Sequence, residues 1–267
     1  MNARPIAGIV LRQLYLMRGS PVRVVPLFAW VAIDIVLWGF ITRYLNSVSA
    51  AGVDFVPTLL GAVLLWDFFI RIMQGVTTAF LEDVWSRNFL NLFATPLSIA
   101  EYVTGLVITS IATSLIGLSV MLTLATLVFG LPFFQLGLLL VPFLLVLFCF
   151  GIALGIFASA VVLRLGPASE WLIWPMPALI SPFVGVFYPL STLPAWMRDV
   201  GYALPPSYVF EGMRAVINGQ TFLAEQLAWG VVLAIVQIVL AGYVFSRVYR
   251  HVVRTGLLAR YSAETVT

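Results

Sequence analysis

The sequence contains no lysine: all 14 of its basic residues are arginine. A phosphate-cradling P-loop, G-x-x-x-x-G-K-[ST], reaches the nucleotide phosphates through its lysine. This chain cannot supply that loop, so any ATP that drives it must be bound by another subunit. Cysteine is almost as scarce. Cys149 stands alone inside an apolar run, which excludes an intrachain disulfide and a cysteine-based metal site. The one histidine, His251, sits in a basic tail; a histidine-rich metal site is excluded and histidine-based catalysis has no support. Neither a G-x-S-x-G elbow nor an H-E-x-x-H pair is present. Charge itself is sparse, at 9% of residues, where a soluble domain carries about 25%.

What fills the chain instead is apolar. Hydrophobic residues make up 62% of its 267 positions and the mean hydropathy is +1.07. The uncharged runs are far too long for barrel strands, and backbone in lipid must satisfy its own hydrogen bonds. The fold expected is therefore an all-α membrane protein of one domain over 1–267. At about 20 residues per crossing, six spans are expected at 24–44, 56–78, 103–129, 136–163, 171–190 and 227–247. A basic tail follows at 248–267. The third and fourth spans are joined by "GLPFF", which implies an antiparallel hairpin. The first run is preceded by Arg4, Arg12, Arg18 and Arg23, too charged a lead for an ordinary cleaved signal, and it contains Asp34 and Trp38; "SVSAAG" at 47–52 leaves cleavage open by pattern alone.

Arginine placement orients the chain. With the N-terminus inside, ten arginines fall on the cytoplasmic side and Arg43, Arg198 and Arg214 outside, with Arg71 within the second span. That is the positive-inside bias, and it puts both termini in the cytoplasm. Residues 5–18 place Ile6, Ile9, Val10, Leu14 and Met17 near helical spacing with Arg4, Arg12 and Arg18 on the polar side, which suits an interfacial helix within 1–20; a plain basic flank is the alternative.

The loop "LEDVWSRNFLNLFATPLSIAEYV" at 81–103 reads as a short helix, a stop at Thr95-Pro96, then a helix capped by Ser98 with Glu101 at the third position. Its exposed Phe and Leu call for a cover, a protein partner or the bilayer surface.

Here the chain resembles a family. "NLFATPLS" is similar to the L-x-x-T-P-[LV]-S element of ABC-2-type permeases, the membrane subunits of type-2 ABC exporters. "SPFVGVFYPLSTLPAWM" and "ALPPSYVFEGMRAVING" resemble the family's motifs before the last span, with Pro205-Pro206 where Asn-Pro is common. The resemblance implies a working unit of two permease subunits, a second copy or a paralogue, on two cytoplasmic ATPase subunits that bind ATP and Mg. It places this chain in the inner membrane as a non-enzymatic export subunit without cofactor or nucleic-acid partner. Glu82, Asp83, Arg87, Phe89 and Leu92 become the ATPase-coupling candidates. The competing reading for Glu82, Asp83 and Arg87 is that they solvate a helix end.

Charges within the spans need a partner or water. Asp67 and Arg71 are i,i+4 neighbours, and Asp34 and Asp67 each lie about 15 Å from the outer end of their span. The expectation is a buried polar cluster of Asp34, Asp67 and Arg71 between spans one and two. It either fixes helix register or touches cargo. An ion-coupled secondary transporter or channel using these three residues is the alternative function. Gly151 and Gly155 form a G-x-x-x-G expected to pack helices within the subunit. Aromatic residues reach 14%, as interfacial belts or as linings for lipid tails or sugar rings.

Residues 187–214, "FYPLSTLPAWMRDVGYALPPSYVFEGMR", are too proline-broken for one helix and too apolar for a free loop. Two short helices are expected, 192–203 and 206–217, as a re-entrant hairpin in the outer leaflet. Phe187, Tyr188, Trp196 and Tyr208 would face the leaflet, with Asp199, Glu211 and Arg214 at a wet rim. The resemblance implies an outer gate over the exit of a path for amphipathic cargo: a lipid-linked saccharide or polysaccharide, a lipid or a hydrophobic drug. A surface loop that only seals the subunit is the alternative.

Overall fold

The computed structural model describes residues 2–48, 56–86, 91–92, 94–130, 140–219 and 224–257. Among them are nine α-helices and no strand. α1 spans Ala3–Arg18, α2 Pro21–Val48, α3 Gly61–Trp85, α4 Ile99–Phe129, α5 Leu140–Leu165, α6 Met176–Val184, α7 Ala195–Tyr202, α8 Pro205–Ile217 and α9 Ala224–Arg254. Four helical stretches are long and apolar enough to cross a membrane: Thr58–Trp85, Ile99–Phe129, Leu140–Leu165 and Ala224–Arg254. They match the second, third, fourth and sixth expected spans.

The third helix is the centre of the molecule. Leu64, Leu65, Phe68, Phe69, Ile72, Met73 and Phe80 are all buried, against α4 on one side and α5 on the other. Small residues make both approaches possible. A Cβ added to Gly155 would lie 2.9 Å from the Met73 carbonyl oxygen, and one on Gly151 3.0 Å from Ile72. Ser110 of α4 donates to the Ile72 carbonyl at 2.9 Å from the opposite side. So the G-x-x-x-G does pack helices within the subunit, as expected. α3 is packed between the third and fourth expected spans, because both offer it close backbone contact; most of the "GLPFF" connection lies outside the described residues. α9 then covers the far side of α5. Gly155→Val is expected to force α3 and α5 apart at a cost of about 1–3 kcal/mol. Thermal unfolding in micelles checks this, with Gly8→Ala, where nothing lies within 4 Å and the helix gains propensity, as a control that should not destabilise.

Helix ends follow local chemistry. The Ser98–Glu101 capping box is present at the start of α4. Gly185 ends α6 at φ 63°, a left-handed conformation that suits glycine. The fifth expected span, 171–190, is not one helix. A 3₁₀ turn at Pro167–Leu172 leads into α6, which has nine residues, about 13 Å at 1.5 Å per residue. Pro175 precedes α6, and Pro177 and Pro182 lie within it; each lacks an amide donor, which limits the length of helix this stretch can hold. Downstream, the two short helices of the proline-broken segment are α7 and α8, separated before Pro205 as expected.

Candidate transport site

Nearly every described residue of α3 is buried except one stripe. Asp67, Ile70, Arg71, Gln74, Gly75, Thr78 and Glu82 are half-buried, and all other positions from Gly61 to Val84 are buried. Steps of three and four residues put them on one helix face. From Asp67 to Glu82 that face runs about 22 Å along the axis. A polar stripe on the most enclosed helix of an apolar body is costly, so it needs something to face.

It faces a cavity of about 490 Å³ between α2, α3 and α4. Asp34 and Trp30 come from α2, Asp67, Arg71, Gln74 and Thr78 from α3, Thr113 from α4, and Trp174 from the segment before α6. Asp34, Asp67 and Arg71 are thus brought to one cavity, as the sequence suggested. The Arg71 side chain lies across Gly117 of α4, where a Cβ would come within 2.7 Å of its Cδ. The glycine is what lets the guanidinium fit. A second, smaller cavity of about 80 Å³ shares Gly75, Thr78 and Thr113 with the first. It continues the polar line to Gln13 and Met17 of α1 and to Glu82. Sequence reasoning missed Gln74, Thr78 and Thr113. The signal was available as polar residues at helical spacing between Asp67 and Glu82.

At the Glu82 end, α1 is tied to the bundle. Asp83 is fully buried, accepting from Tyr102 Oη at 2.7 Å and from the Arg12 guanidinium. The Asn2 amide donates to Glu101 Oε1 at 2.6 Å. Ile9 is seated on Gly105, where a Cβ would fall 2.6 Å from its Cγ2. This corrects the reading of Asp83 as a coupling contact: a carboxylate with no exposed surface cannot touch another subunit, and it braces α1 against α3 and α4 instead. Glu82 is half-buried and lines the smaller cavity. Leu92 is half-buried against the core. Arg87 and Phe89 lie outside the described residues.

At the other end, α6, α7 and α8 form a braced cap. Glu211 Oε1 accepts from the Leu190 amide and from Arg214 Nη2, both at 2.8 Å, and Arg214 Nη1 donates to the Val186 carbonyl at 3.4 Å. Glu211 and Arg214, both half-buried, clamp the turn 185–190, because its backbone groups need partners once buried. Tyr188 donates to the Pro182 carbonyl at 2.8 Å and Tyr208 to the Tyr202 carbonyl at 2.9 Å. Burial, and then the neighbouring Tyr202, raise the Tyr208 phenol above its ordinary pKa, which keeps it a donor. Phe187 stacks on Trp38 of α2 at 5.2 Å between ring centroids, and Trp196, 63% exposed, packs edge-on against Phe183. Trp38 lies one turn beyond Asp34 on α2, so the stack ties the cap to the helix that carries Asp34.

No curated protein matches the chain. Residues 12–218 match the family model described as ABC-2 type transporter. The matched span takes in the α3 stripe, the cavity and the whole α6–α8 cap. With four apolar helices of membrane-crossing length, this is a multi-pass membrane protein, a transporter subunit of a family that generally works with a cytoplasmic ABC ATPase, and the chain belongs to the ABC-2 type transporter family.

Proposed function

We propose that this chain is the membrane subunit of an ATP-driven exporter, assembled as a pair on two cytoplasmic ATPase subunits that bind ATP and Mg. The observation that carries the reading is the α3 stripe: a line of polar groups with its own cavity, running through an apolar helical body from Asp67 to Glu82. A cargo head group needs such a line to pass through the bilayer. The chain itself is no enzyme, since it lacks the lysine of a P-loop.

In this reading both termini are cytoplasmic and the protein sits in the inner membrane. α2, with 28 residues and about 42 Å of length, is a crossing, and the broken stretch 167–190 completes the sixth. The α7–α8 pair dips into the outer leaflet as the exit gate, held shut by the Trp38–Phe187 stack. Exposed Leu11, Leu14 and Tyr15 on α1 lie in the cytoplasmic headgroup layer. α1 contributes to the docking face for the ATPase, with Arg87 and Phe89, outside the described residues, as further coupling candidates. The cargo is amphipathic and moves outward from the cytoplasm or the inner leaflet.

Purification of the tagged full chain from native membranes tests the assembly. A P-loop ATPase should co-purify in equimolar amount. Recovery of the chain alone, together with efflux that survives ATP depletion, would overturn it. The gathering of Asp34, Asp67 and Arg71 at one cavity favours a second reading, an ion-coupled carrier or channel. Efflux driven in ATP-depleted vesicles by an imposed proton or sodium gradient would establish that one.

A further inference from the structure

The cavity between α2, α3 and α4 holds more carboxylate than guanidinium. Asp34 and Asp67 line it with one cation, Arg71. Arg71 follows Asp67 by one turn and lies across Gly117, on the α4 side. Asp34 stands on the opposite wall, on α2, and among the described residues no arginine forms an ion pair with it. A carboxylate at membrane depth is costly until a cation or water offsets it. Beside it are two indoles, Trp30 and Trp174, which are 67% and 44% exposed and border the cavity. Their exposure marks where the cavity opens to the surface of the helical body. Tryptophan offers the strongest cation–π face among the side chains. At about 490 Å³ the space falls within the range of small-molecule sites, about 300–1,000 Å³.

We propose that this cavity recognises cargo and selects an amphipath bearing an ammonium group. The cation lies between Asp34 and the two indoles, and the tail extends into the lipid. A phosphate or sulfate head would be repelled by the Asp34 carboxylate. A sugar head would stack on the indoles but leave the Asp34 charge without an offset, which is why the ammonium is preferred. The role in export rests on the function proposed above; the binding selectivity does not, because it is a property of this chain alone.

Equilibrium binding on the purified full chain in octaethylene glycol dodecyl ether micelles tests it, with protein-free micelles as background. Three eight-carbon probes serve: octyltrimethylammonium, octyl sulfate and octyl glucoside. Only the ammonium should bind saturably. Asp34→Asn should weaken it by about tenfold or more. Trp174→Ala, on the exposed rim and outside the packed core, should weaken it by about threefold. Tighter binding of octyl sulfate or octyl glucoside would overturn the proposal. So would ammonium binding unchanged in both variants, or no saturable binding of any probe. Failure here would leave the ATPase-partnered assembly intact, and failure of the co-purification would leave an ammonium site intact.

Discussion

Arg12→Ala is expected to destabilise the protein by about 3 kcal/mol, near the low end for breaking a buried ion pair. The low end applies because the Arg12 side chain is 25% exposed while that of Asp83 is 0% exposed. The loss comes less from the missing attraction than from what remains: a carboxylate sealed between α3 and α4 with only the Tyr102 hydroxyl to support it. That logic makes a second result predictable. Arg12→Ala combined with Asp83→Asn should recover more than half of the loss, since a neutral amide still accepts from Tyr102 and carries no charge to offset. Thermal unfolding of both variants in micelles decides it. A single variant as stable as the parent would show that Arg12 and Asp83 do not hold α1 in place. Since α1 meets α4 through Ile9 and Gly105, the same substitution should loosen α1 and weaken the coupling of ATP hydrolysis to transport more than hydrolysis itself.

Glu211→Ala should have the next largest effect, about 2 kcal/mol. One carboxylate oxygen serves two donors, the Leu190 amide and Arg214. The Arg214 side chain is only 11% exposed, so truncating Glu211 strands a mostly buried guanidinium and an amide at once. The 35% exposure of Glu211 itself moderates the loss through solvent screening. The damage should be local. Hydrogen exchange over 185–204 should accelerate while the α3 core stays protected. Glu211→Gln keeps an acceptor for Leu190 and should fall between parent and alanine variant. Equal protection in all three would mean the turn is held by its proline geometry and not by the clamp.

The contrast between these two pairs shows what a sequence can disclose. The Ser98–Glu101 cap and the break before Pro205 depend on neighbours within four residues, and both were legible. So was the Gly151–Gly155 spacing, because only small residues let backbones approach. The Arg12–Asp83 pair joins positions 71 apart, and no local pattern announces it. Asp83 sits beside Glu82 and near Arg87, where a run of charges reads as a solvated helix end; the fold turns Asp83 inward and gives it a distant cation. The Glu211 clamp was hidden in the same way: the spacing of Glu211 and Arg214 is plain, but the Leu190 amide that Glu211 accepts from is 21 residues away. The fifth span was expected as one continuous helix and is broken instead, for a different reason. Hydropathy counts apolar residues, whereas continuity of a helix depends on backbone donors that Pro175, Pro177 and Pro182 do not have. The cluster of Asp34, Asp67 and Arg71 was legible as such, whereas Gln74 and Thr78, though at helical spacing between Asp67 and Glu82, gain their meaning once α3 is seen enclosed on all its other faces.

The central claim, that ATP bound on a partner subunit moves this chain's outer cap, is open to one direct measurement. Cys149 is the only cysteine, so a Cys149→Ser background accepts spin labels at Tyr44→Cys on α2 and Trp196→Cys on α7, both exposed positions. The complex purified with its ATPase is placed in nanodiscs and the distance between labels is recorded without nucleotide, with ATP and Mg trapped by vanadate, and under a proton gradient. The account predicts a distance distribution that shifts on ATP trapping and is unmoved by the gradient. A distribution that ignores nucleotide, or shifts with the gradient in the absence of any ATPase, would contradict it.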